Sequence, residues 1–257
     1  MADAFVHVAI TGASSGIGAA LAREHAAPGV LLSLCGRDAG RLQAVAGLCE
    51  ATGAQVRLSL FDLRDGKALA DWIAAADGER KIDLVYACAG LGGIASVAGP
   101  DGEDPEVSAD LIRVNMGAAI ATATAAAARL KPRGRGRIVL IGSLAGRAGL
   151  PQCPTYSATK AGLEIYADGL RRLLRPAGVG VTLIEPGFVD TPMSKGVPGL
   201  VFLWSADKAA RRIRRAAERG KATLRFPLPL DIGLRLLRLL PRPLADWILV
   251  AIRKRDM

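Results

Sequence analysis

Tyr156 and Lys160 are the two side chains of this sequence best suited to acid–base chemistry. They stand four residues apart, in the order Tyr-Ser-Ala-Thr-Lys, and residues at that spacing share one face of a helix. A free tyrosine has a pKa of about 10 and is a weak acid–base catalyst near neutral pH. A cation held beside the phenol favours the phenolate, lowers that pKa and makes tyrosine a usable proton donor or acceptor. The same spacing also occurs on solvated helix faces, so the pair alone does not define a site.

A glycine-rich segment near the start of the sequence is suited to binding a phosphate group. It follows the apolar run 5–10, precedes an Ala- and Leu-rich helical stretch over 19–27, and reads Thr11-Gly12-Ala13-Ser14-Ser15-Gly16-Ile17-Gly18. A strand, a glycine loop and a helix in this order are typical of a dinucleotide-binding loop, because the backbone can approach a pyrophosphate and the helix offers free N–H groups. The alternative interpretation is an ordinary tight turn.

These two segments belong to a longer series of motifs in which the sequence resembles the short-chain dehydrogenase/reductase family. The resemblance covers about residues 5–225 and rests on Thr11-Gly12-x-x-x-Gly16-Ile17-Gly18, Asp62-Leu63, Cys88-Ala89-Gly90, Asn115, Ser143, Tyr156-x-x-x-Lys160 and Pro186-Gly187. The family usually has Asn where this sequence has Cys88. That Asn is mainly structural, so the departure concerns local packing more than chemistry.

The resemblance implies hydride transfer between a nicotinamide cofactor and a carbonyl or alcohol carbon, with Asn115, Ser143, Tyr156 and Lys160 as catalytic residues. Tyr156 would exchange the proton of the substrate oxygen, Ser143 would hydrogen-bond that oxygen, and Asn115 would hold a water in the proton relay. Lys160 would bind the ribose hydroxyls and lower the tyrosine pKa. Asp62 and Leu63 would border the adenine, Ala89 and Gly90 would line the cofactor, and Thr191 would contact the nicotinamide amide. The complete implied cofactor-binding set is Gly12, Ser14, Ser15, Gly16, Ile17, Gly18, Arg37, Asp62, Leu63, Ala89, Gly90, Tyr156, Lys160, Pro186, Gly187, Val189 and Thr191.

The residues after the second apolar run favour NADP(H) over NAD(H). NAD enzymes of this type place an acidic residue there for the ribose hydroxyls, whereas NADP enzymes supply a cation. Here Gly36 takes the acidic position and Arg37 follows it. A guanidinium matches phosphate geometry. Arg37 as a solvated residue at a helix start is the alternative, and the nearby Asp38 weakens the argument.

The remaining pattern alternates strands and helices, as expected of an α/β, Rossmann-like doubly wound parallel sheet of about seven strands. Predicted strands are Val6–Thr11, Val30–Cys35, Gln55–Leu60, Leu84–Ala87, Arg137–Ile141, Val179–Glu185 and Thr223–Phe226. Predicted helices are Ser14–Ala26, Arg37–Thr52, Asp65–Ala76, Ser108–Leu130, Thr155–Arg175 and Asp207–Arg219. Each motif falls at the carboxyl end of a strand, where doubly wound folds bind their ligands.

Composition agrees with one globular domain in a reducing compartment. The chain has 257 residues, of which 51% are hydrophobic, and its four cysteines follow no disulfide or metal spacing. Cys35 and Cys88 are expected in buried strands. His7 and His25 are interpreted as structural, so no metal site is expected, and no signal peptide is expected because the first strand begins almost at Met1.

The C-terminal residues differ in charge from the rest of the sequence. Residues 201–257 hold 14 Lys and Arg against 5 Asp and Glu, whereas the whole chain has a net charge of +10. We therefore divide the chain into a catalytic Rossmann-like domain, 1–226, and a basic, apolar and amphipathic C-terminal extension, 227–257. The extension is too interrupted by charge to span a bilayer. It suits an anionic membrane surface; closing the substrate pocket and forming a subunit interface are the alternatives, and nucleic-acid binding is not expected.

The segment Pro192–Trp204 occupies the family's substrate-loop position and is apolar, with glycines at 196 and 199. An apolar lid indicates a hydrophobic substrate, although it could simply pack over the core. With the basic extension, it more loosely resembles lipid-handling branches such as ketosphinganine reductases, hydroxysteroid dehydrogenases and reductases of polyprenyl-linked keto-sugars. We expect a cytoplasmic homodimer or homotetramer, with peripheral membrane contact open. A catalytically silent dinucleotide sensor or scaffold is the alternative function.

Overall fold

The computed structural model describes residues 5–92, 98–99, 102–197 and 199–255; Pro198 of the predicted lid lies outside these ranges. The main sheet has seven parallel strands in the order β3-β2-β1-β4-β5-β6-β9. They are β1 (His7–Thr11), β2 (Leu31–Gly36), β3 (Gln55–Leu60), β4 (Leu84–Ala87), β5 (Arg137–Ile141), β6 (Gly180–Pro186) and β9 (Thr223–Phe226). The chain adds β2 and β3 on one side of β1 and then β4 to β6 on the other side, which is the strand order of a doubly wound fold. The predicted fold class is confirmed.

Helices cover both faces of the sheet. They are α1 (Gly16–His25), α2 (Ala39–Glu50), α3 (Gly66–Glu79), α4 (Pro105–Leu111), α5 (Ala119–Leu130), α6 (Pro154–Leu174), α7 (Ala206–Glu218), α8 (Leu228–Leu237) and α9 (Arg242–Arg255). One core cluster packs α1, α2 and α7 on one face, through residues such as Leu21, Leu42 and Ile213. The other packs α3, α5 and α6 on the opposite face, through Leu69, Ala123 and Leu163. The central strands are buried and mostly apolar because both of their faces are covered.

The helix predicted over Ser108–Leu130 is wrong in its start and its regularity. It begins at Pro105, where Asp104 caps the first turn, and a π-helical segment, Ile112–Ala118, separates α4 from α5. Asn115 lies in that segment. Among the described residues one helical run, Pro105–Arg133, is long and apolar enough to cross a membrane by composition. Its inner face packs against α3 and α6, as expected of a core helix.

Two features lie outside the main sheet. Strands β7 (Val189–Asp190) and β8 (Trp204–Ser205) pair in parallel and hold together the two ends of the predicted lid. Trp204 stacks on Phe226 with ring centroids 4.8 Å apart, and Lys208 Nζ lies 4.1 Å from the centroid of the same indole. Beyond β9 the chain continues as α8 and α9, so the predicted C-terminal extension consists mainly of two helices.

Candidate active site

The glycine loop connects β1 to α1 and lies against the loop that follows β4. Gly12 has φ of +69°, and a Cβ built on it would be 2.7 Å from Ala89 Cα, so only glycine fits there. Helix α1 begins at Gly16 behind Ser15, and neither a capping side chain nor an acidic residue occupies its first turn. Its first N–H groups are therefore available to an anion, as a dinucleotide loop requires.

Thr11 ties the same two loops together from beneath. Its hydroxyl accepts hydrogen bonds from the backbone N–H groups of Cys88 and Ala89, at 3.0 and 3.3 Å, and donates to the carbonyl of Tyr86 at 3.3 Å. Cys88 lies just after β4 and is only partly buried by neighbouring atoms, so its predicted place inside a buried strand is wrong. The protein atoms around the thiol still keep water from it, and this raises the pKa of the thiol to about 12. Cys35, by contrast, is buried in β2 as predicted.

Tyr156 and Lys160 lie in the first turns of α6. Lys160 is buried, and its Nζ donates to the carbonyl of Ile141, at the end of β5, at 3.1 Å. The same Nζ lies 5.6 Å from the centroid of the Tyr156 ring. Burial lowers the pKa of Lys160 to about 8, because the ammonium loses its hydration.

The Tyr156 pKa differs from the sequence prediction. Burial raises it to about 12, whereas the hydrogen bond with Ser143 acts in the opposite direction. Lys160 does not lower it, because with a pKa of about 8 this lysine is already neutral at the pH where the phenol ionises. The prediction that Lys160 lowers the Tyr156 pKa is therefore wrong for the protein alone, in which loss of solvent around the phenolate dominates.

Ser143 begins the short 3-10 turn Leu144–Arg147 that follows β5. Its hydroxyl oxygen accepts from the N–H of Ala145 at 3.1 Å and can donate to the carbonyl of Pro186 at 3.5 Å. This turn is pressed against α6: a Cβ on Gly146 would lie 2.6 Å from the backbone carbon of Lys160. Gly146, which the sequence analysis missed, thus allows the Ser143 turn to approach the helix that carries Tyr156.

Asn115 is fully buried, and its amide is used by the backbone of Leu91. Asn115 Oδ1 accepts from the Leu91 N–H at 2.6 Å, and Nδ2 donates to the Leu91 carbonyl at 2.9 Å. A Cβ on Gly90 would lie 3.2 Å from Asn115 Oδ1 and 3.8 Å from Lys160 Nζ. The structure thus brings Asn115, Gly90 and Lys160 together, with the Asn side chain bracing the loop after β4.

Arg37, Asp62 and Leu63 follow β2 and β3, which lie on the opposite side of β1 from β4 and β5. Arg37 is exposed and close enough to Asp62 to lower its pKa, although Arg64 is the main cause of a pKa near 2 for that carboxyl. Arg64, missed by the sequence analysis, pairs with Asp62 at 2.6 Å and with Asp110 at 3.1 Å.

Asp38 does not oppose Arg37 in the way the sequence suggested. Its carboxylate caps α2 by accepting from the N–H of Arg41 at 2.9 Å, and it pairs with Arg41 Nε at 2.8 Å. At Gly36 a Cβ would come within 3.3 Å of Ser14 Oγ, so a side chain there would crowd the glycine loop. The cation after β2 is therefore Arg37, with the neighbouring carboxylate already occupied.

The segment after β6 returns to the glycine loop and carries the lid. Val189 is buried in β7, and the methyl group of Thr191 lies 3.2 Å from a Cβ built on Gly16. Met193 and Tyr156 meet beside Gly92, where a built Cβ would be 3.1 Å from Met193 Sδ and 3.2 Å from Tyr156 Cε2. The lid therefore reaches Gly92 from beside the phenol ring. Three further apolar side chains of the lid, Val201, Phe202 and Leu203, are exposed.

A cluster of charged residues next to the site was also missed. Glu185, at the end of apolar strand β6, is completely buried and pairs with Arg225 Nε at 2.5 Å. Burial raises the pKa of Glu185 to about 7 against the opposing effect of Arg225. A carboxylate inside an apolar strand run was the signal in the sequence that could have revealed it.

Within the described part of the chain, no group of three His, Cys, Asp or Glu side chains is arranged to hold a metal ion. His7 bonds to Ser33 at 2.8 Å, and His25 bonds to Tyr86 at 2.9 Å. Both imidazoles are buried. They therefore act as hydrogen-bonding residues of the core.

Comparison with known proteins identifies relatives that cover most of the chain. A family model described as short chain dehydrogenase matches residues 6–198. An uncharacterized oxidoreductase of Myxococcus xanthus is 36% identical over 240 residues, which are 92% of this chain and 93% of the relative.

Two solved structures share the fold at useful sequence identity. A short-chain dehydrogenase from Sphingobium yanoikuyae, in complex with NADPH, superposes with a TM-score of 0.78 at 30% identity, over 86% of this chain and 88% of that one. The bulky-bulky ketone specific alcohol dehydrogenase from Comamonas testosteroni gives a TM-score of 0.78 at 26% identity, over 95% of both chains.

Proposed function

Since the chain belongs to the short-chain dehydrogenase/reductase family, we propose that it is an NADPH-dependent reductase of a hydrophobic, lipid-like ketone. The coarser statement, that it is an oxidoreductase of this family using a nicotinamide cofactor, follows from the relatives. The observation that carries the proposal is the meeting of Ser143, Tyr156 and Lys160 at the carboxyl end of β5, beneath an apolar lid.

The residues present fit a nicotinamide dinucleotide. Gly12 and Gly16 leave room where Cβ atoms would crowd Ala89 and Thr191. The first turn of α1 offers N–H groups without a competing cap. We assign the pyrophosphate to this loop and the other implied contacts to Ile17, Gly18, Leu63, Ala89, Gly90, Pro186, Gly187, Val189 and Thr191.

Cofactor preference is assigned to Arg37. Its exposed guanidinium can pair with the 2′-phosphate of NADP(H), and Gly36 presents no carboxylate to the ribose. Asp38 is engaged by Arg41 and does not compete. The relative from Sphingobium yanoikuyae, whose structure holds NADPH, supports the same preference.

In the proposed reaction the bound nicotinamide supplies the hydride, and the protein supplies the proton and the orientation. Tyr156 donates its phenolic proton to the carbonyl oxygen, which Ser143 holds by a hydrogen bond. Lys160, whose Nζ lies 5.6 Å from the centroid of the Tyr156 ring, would bind the ribose hydroxyls of the cofactor. Asn115 keeps the loop after β4 in register with Lys160 through its two bonds to Leu91.

The substrate assignment rests on the lid. Met193 contacts the space beside Tyr156, and Val201, Phe202 and Leu203 offer apolar surface nearby along the chain. Phe202 has φ of +55°, a strained conformation for a large side chain, and such outliers concentrate at functional loops. The ketone-specific relative from Comamonas testosteroni supports a bulky ketone.

A screen of ketones tests this proposal directly. The consumption of NADPH is followed by absorbance with acyclic, cyclic and long-chain ketones of increasing apolar size, using the natural protein and Tyr156→Phe. We expect turnover with bulky apolar ketones and a loss of about 10²-fold or more in Tyr156→Phe, with unchanged NADPH binding. Tight NADPH binding without turnover of any ketone would instead favour the sensor or scaffold.

We infer that the enzyme is a homo-oligomer that works in the cytoplasm, with α8 and α9 resting on an anionic membrane surface. The exposed apolar residues are Leu228, Ile232 and Leu236 on α8, and Leu244, Trp247 and Val250 on α9. On α8 their spacing of four forms one stripe. Exposed Arg235, Arg238 and Arg242 lie in and between the same helices, where they suit acidic lipid headgroups.

A further inference from the structure

Helix α8 buries a charged side chain against the candidate site. Asp231, with 1% of its surface exposed, is the only fully buried residue of this completely described helix. The leucine and isoleucine stripe of α8 faces outward instead. Because a buried carboxylate is unfavourable unless cations compensate it, the position of α8 depends on the partners of Asp231.

Those partners come from several elements of the site. Asp231 Oδ2 lies 2.8 Å from Arg235, whereas Oδ1 lies 3.7 Å from Arg147 Nε and 3.9 Å from Arg225 Nε. Glu164 bonds to both Arg147 and Arg225, at 3.1 and 2.9 Å. Asp231 and its carboxylate neighbours therefore share two arginines at the centre of the cluster.

The cluster joins the elements on which the proposed chemistry depends. Arg147 ends the turn that Ser143 begins. Glu164 lies four residues after Lys160, on the same face of α6. Leu230, beside Asp231 in the sequence, lies 2.9 Å from a Cβ built on Gly187. Helix α8 thus borders both the turn after β5 and the turn after β6.

The bonds between Asp231 and the two central arginines are close but incomplete. Asp231 Oδ1 and Arg147 Nε are buried without a hydrogen-bond partner, whereas Arg225 Nε already pairs with Glu185 at 2.5 Å. At 3.7 Å, a small inward shift of α8 would bring Asp231 Oδ1 within hydrogen-bonding distance of Arg147 Nε. Asp231 Oδ1 and Arg147 Nε therefore face each other between α8 and the Ser143 turn, each without a hydrogen bond.

We propose that Asp231 is a positioning residue: its carboxylate, between Arg147 and Arg225, docks α8 against the Ser143 turn and Gly187 and so fixes one wall of the ketone site. The proposal rests on the proposed reductase function. It assigns Asp231 no contact with the substrate or the cofactor, so its effect should fall on the binding of the ketone.

The test compares Asp231→Asn with Asp231→Glu and with Asp71→Asn, which removes an exposed carboxylate on α3. For Asp231→Asn we expect KM for the best ketone of the screen to rise at least fivefold, kcat to change less, and NADPH affinity to stay within twofold. Hydrogen exchange should become faster in α8 and stay unchanged in α1 and α3. Asp231→Glu should recover most of the KM change, and Asp71→Asn should match the natural protein.

An unchanged KM and unchanged exchange in α8 would overturn the proposal. Equal losses of ketone and NADPH binding, with faster exchange throughout, would also overturn it, because they indicate general destabilisation. If Asp231→Asn does not fold, Arg235→Gln removes the exposed partner and should give a smaller effect of the same kind. If the natural protein reduces no ketone, the reductase function fails, whereas exchange in α8 of the NADPH-bound protein still tests the docking role.

Discussion

At the scale of single residues, Arg37 offers the clearest test of cofactor choice. Arg37→Ala should weaken NADPH binding by about tenfold or more and leave NADH binding nearly unchanged, because a charged hydrogen bond contributes about 1.5–3 kcal/mol. Fluorescence titration with both reduced cofactors measures the two affinities. Arg172→Ala, which removes an exposed guanidinium from α6, is the control. Equal losses for both cofactors in Arg37→Ala would remove Arg37 from the phosphate site.

Buried Lys160 is proposed to serve the reaction, but it lowers the stability of the folded protein. Its pKa in the folded protein is about 8, below the 10.5 of an exposed lysine. The unfolded chain therefore binds more protons between these values, and the free energy of unfolding rises with pH through that window. At pH 7 the buried ammonium is a destabilising group.

Lys160→Met should therefore raise the free energy of unfolding of the cofactor-free protein at pH 7 by up to about 3 kcal/mol, which is the free energy that corresponds to the pKa difference. The gain should shrink as the pH rises from 8 toward 10.5, and ketone reduction should be lost. Calorimetry at pH 7 and pH 10 measures both effects. A variant less stable than the natural protein at pH 7 would show that the Ile141 bond and local packing outweigh the buried charge.

At the scale of elements, the glycine loop makes a prediction about backbone fit. Gly12→Ala places a Cβ 2.7 Å from Ala89 Cα in a residue with φ of +69°. Either the loop after β1 or the loop after β4 must move, so NADPH affinity should fall by at least tenfold. Isothermal titration measures this loss.

Gly47→Ala is the opposite case and serves as the control. Gly47 lies inside α2 with no atom within 4 Å of a built Cβ. Alanine there should stabilise the protein by about 0.5–1 kcal/mol, because glycine weakens helix interiors. NADPH affinity should not change. If Gly12→Ala also binds NADPH normally, the close approach of the two loops is not required.

The same scale shows what the sequence can and cannot predict. Strands Leu84–Ala87 and Arg137–Ile141 were predicted to the residue, because buried parallel strands are nearly continuous apolar runs. The π-helical break around Asn115 was not predicted, since it accompanies side-chain bonds to Leu91, on another loop. Local periodicity carries no information about such a partner.

The electrostatic part of the site was also beyond sequence reasoning. The spacing of Tyr156 and Lys160 predicts that they are neighbours, but the raised pKa of Tyr156 depends on burial by other elements. The cluster around Asp231 draws its charges from the turn after β5 and from α6, β6, β9 and α8. Its members become neighbours only when the chain has folded.

At the scale of the whole molecule, the uneven charge and the exposed stripe of α8 and α9 predict binding to anionic vesicles. The protein should sediment with phosphatidylglycerol vesicles at low salt. It should stay in the supernatant with phosphatidylcholine vesicles or at high salt. Trp247 is 68% exposed, so its fluorescence should shift to shorter wavelength on binding. Combined Arg238→Ala and Arg242→Ala should weaken partitioning by more than tenfold, at about 1 kcal/mol for each arginine.

Arg172→Ala, which removes an exposed cation from α6, should leave vesicle binding unchanged and serves as the control. A natural protein that ignores anionic vesicles at low salt would exclude the membrane role. If Trp247→Ala then dissociates the oligomer in sedimentation velocity, α8 and α9 form a subunit interface.

The small sheet of β7 and β8 has a consequence for how this enzyme could change its substrate over evolution. The two ends of the lid are fastened to each other and to the core through Trp204 and Phe226. The intervening loop can therefore lengthen without disturbing the seven-stranded sheet. Doubling the length of a flexible loop costs only about 0.6 kcal/mol of closure entropy. Insertions and deletions in the loop between β7 and β8 can therefore change the lid while Tyr156, the proposed proton donor, stays in place. Such changes offer a route to new substrates.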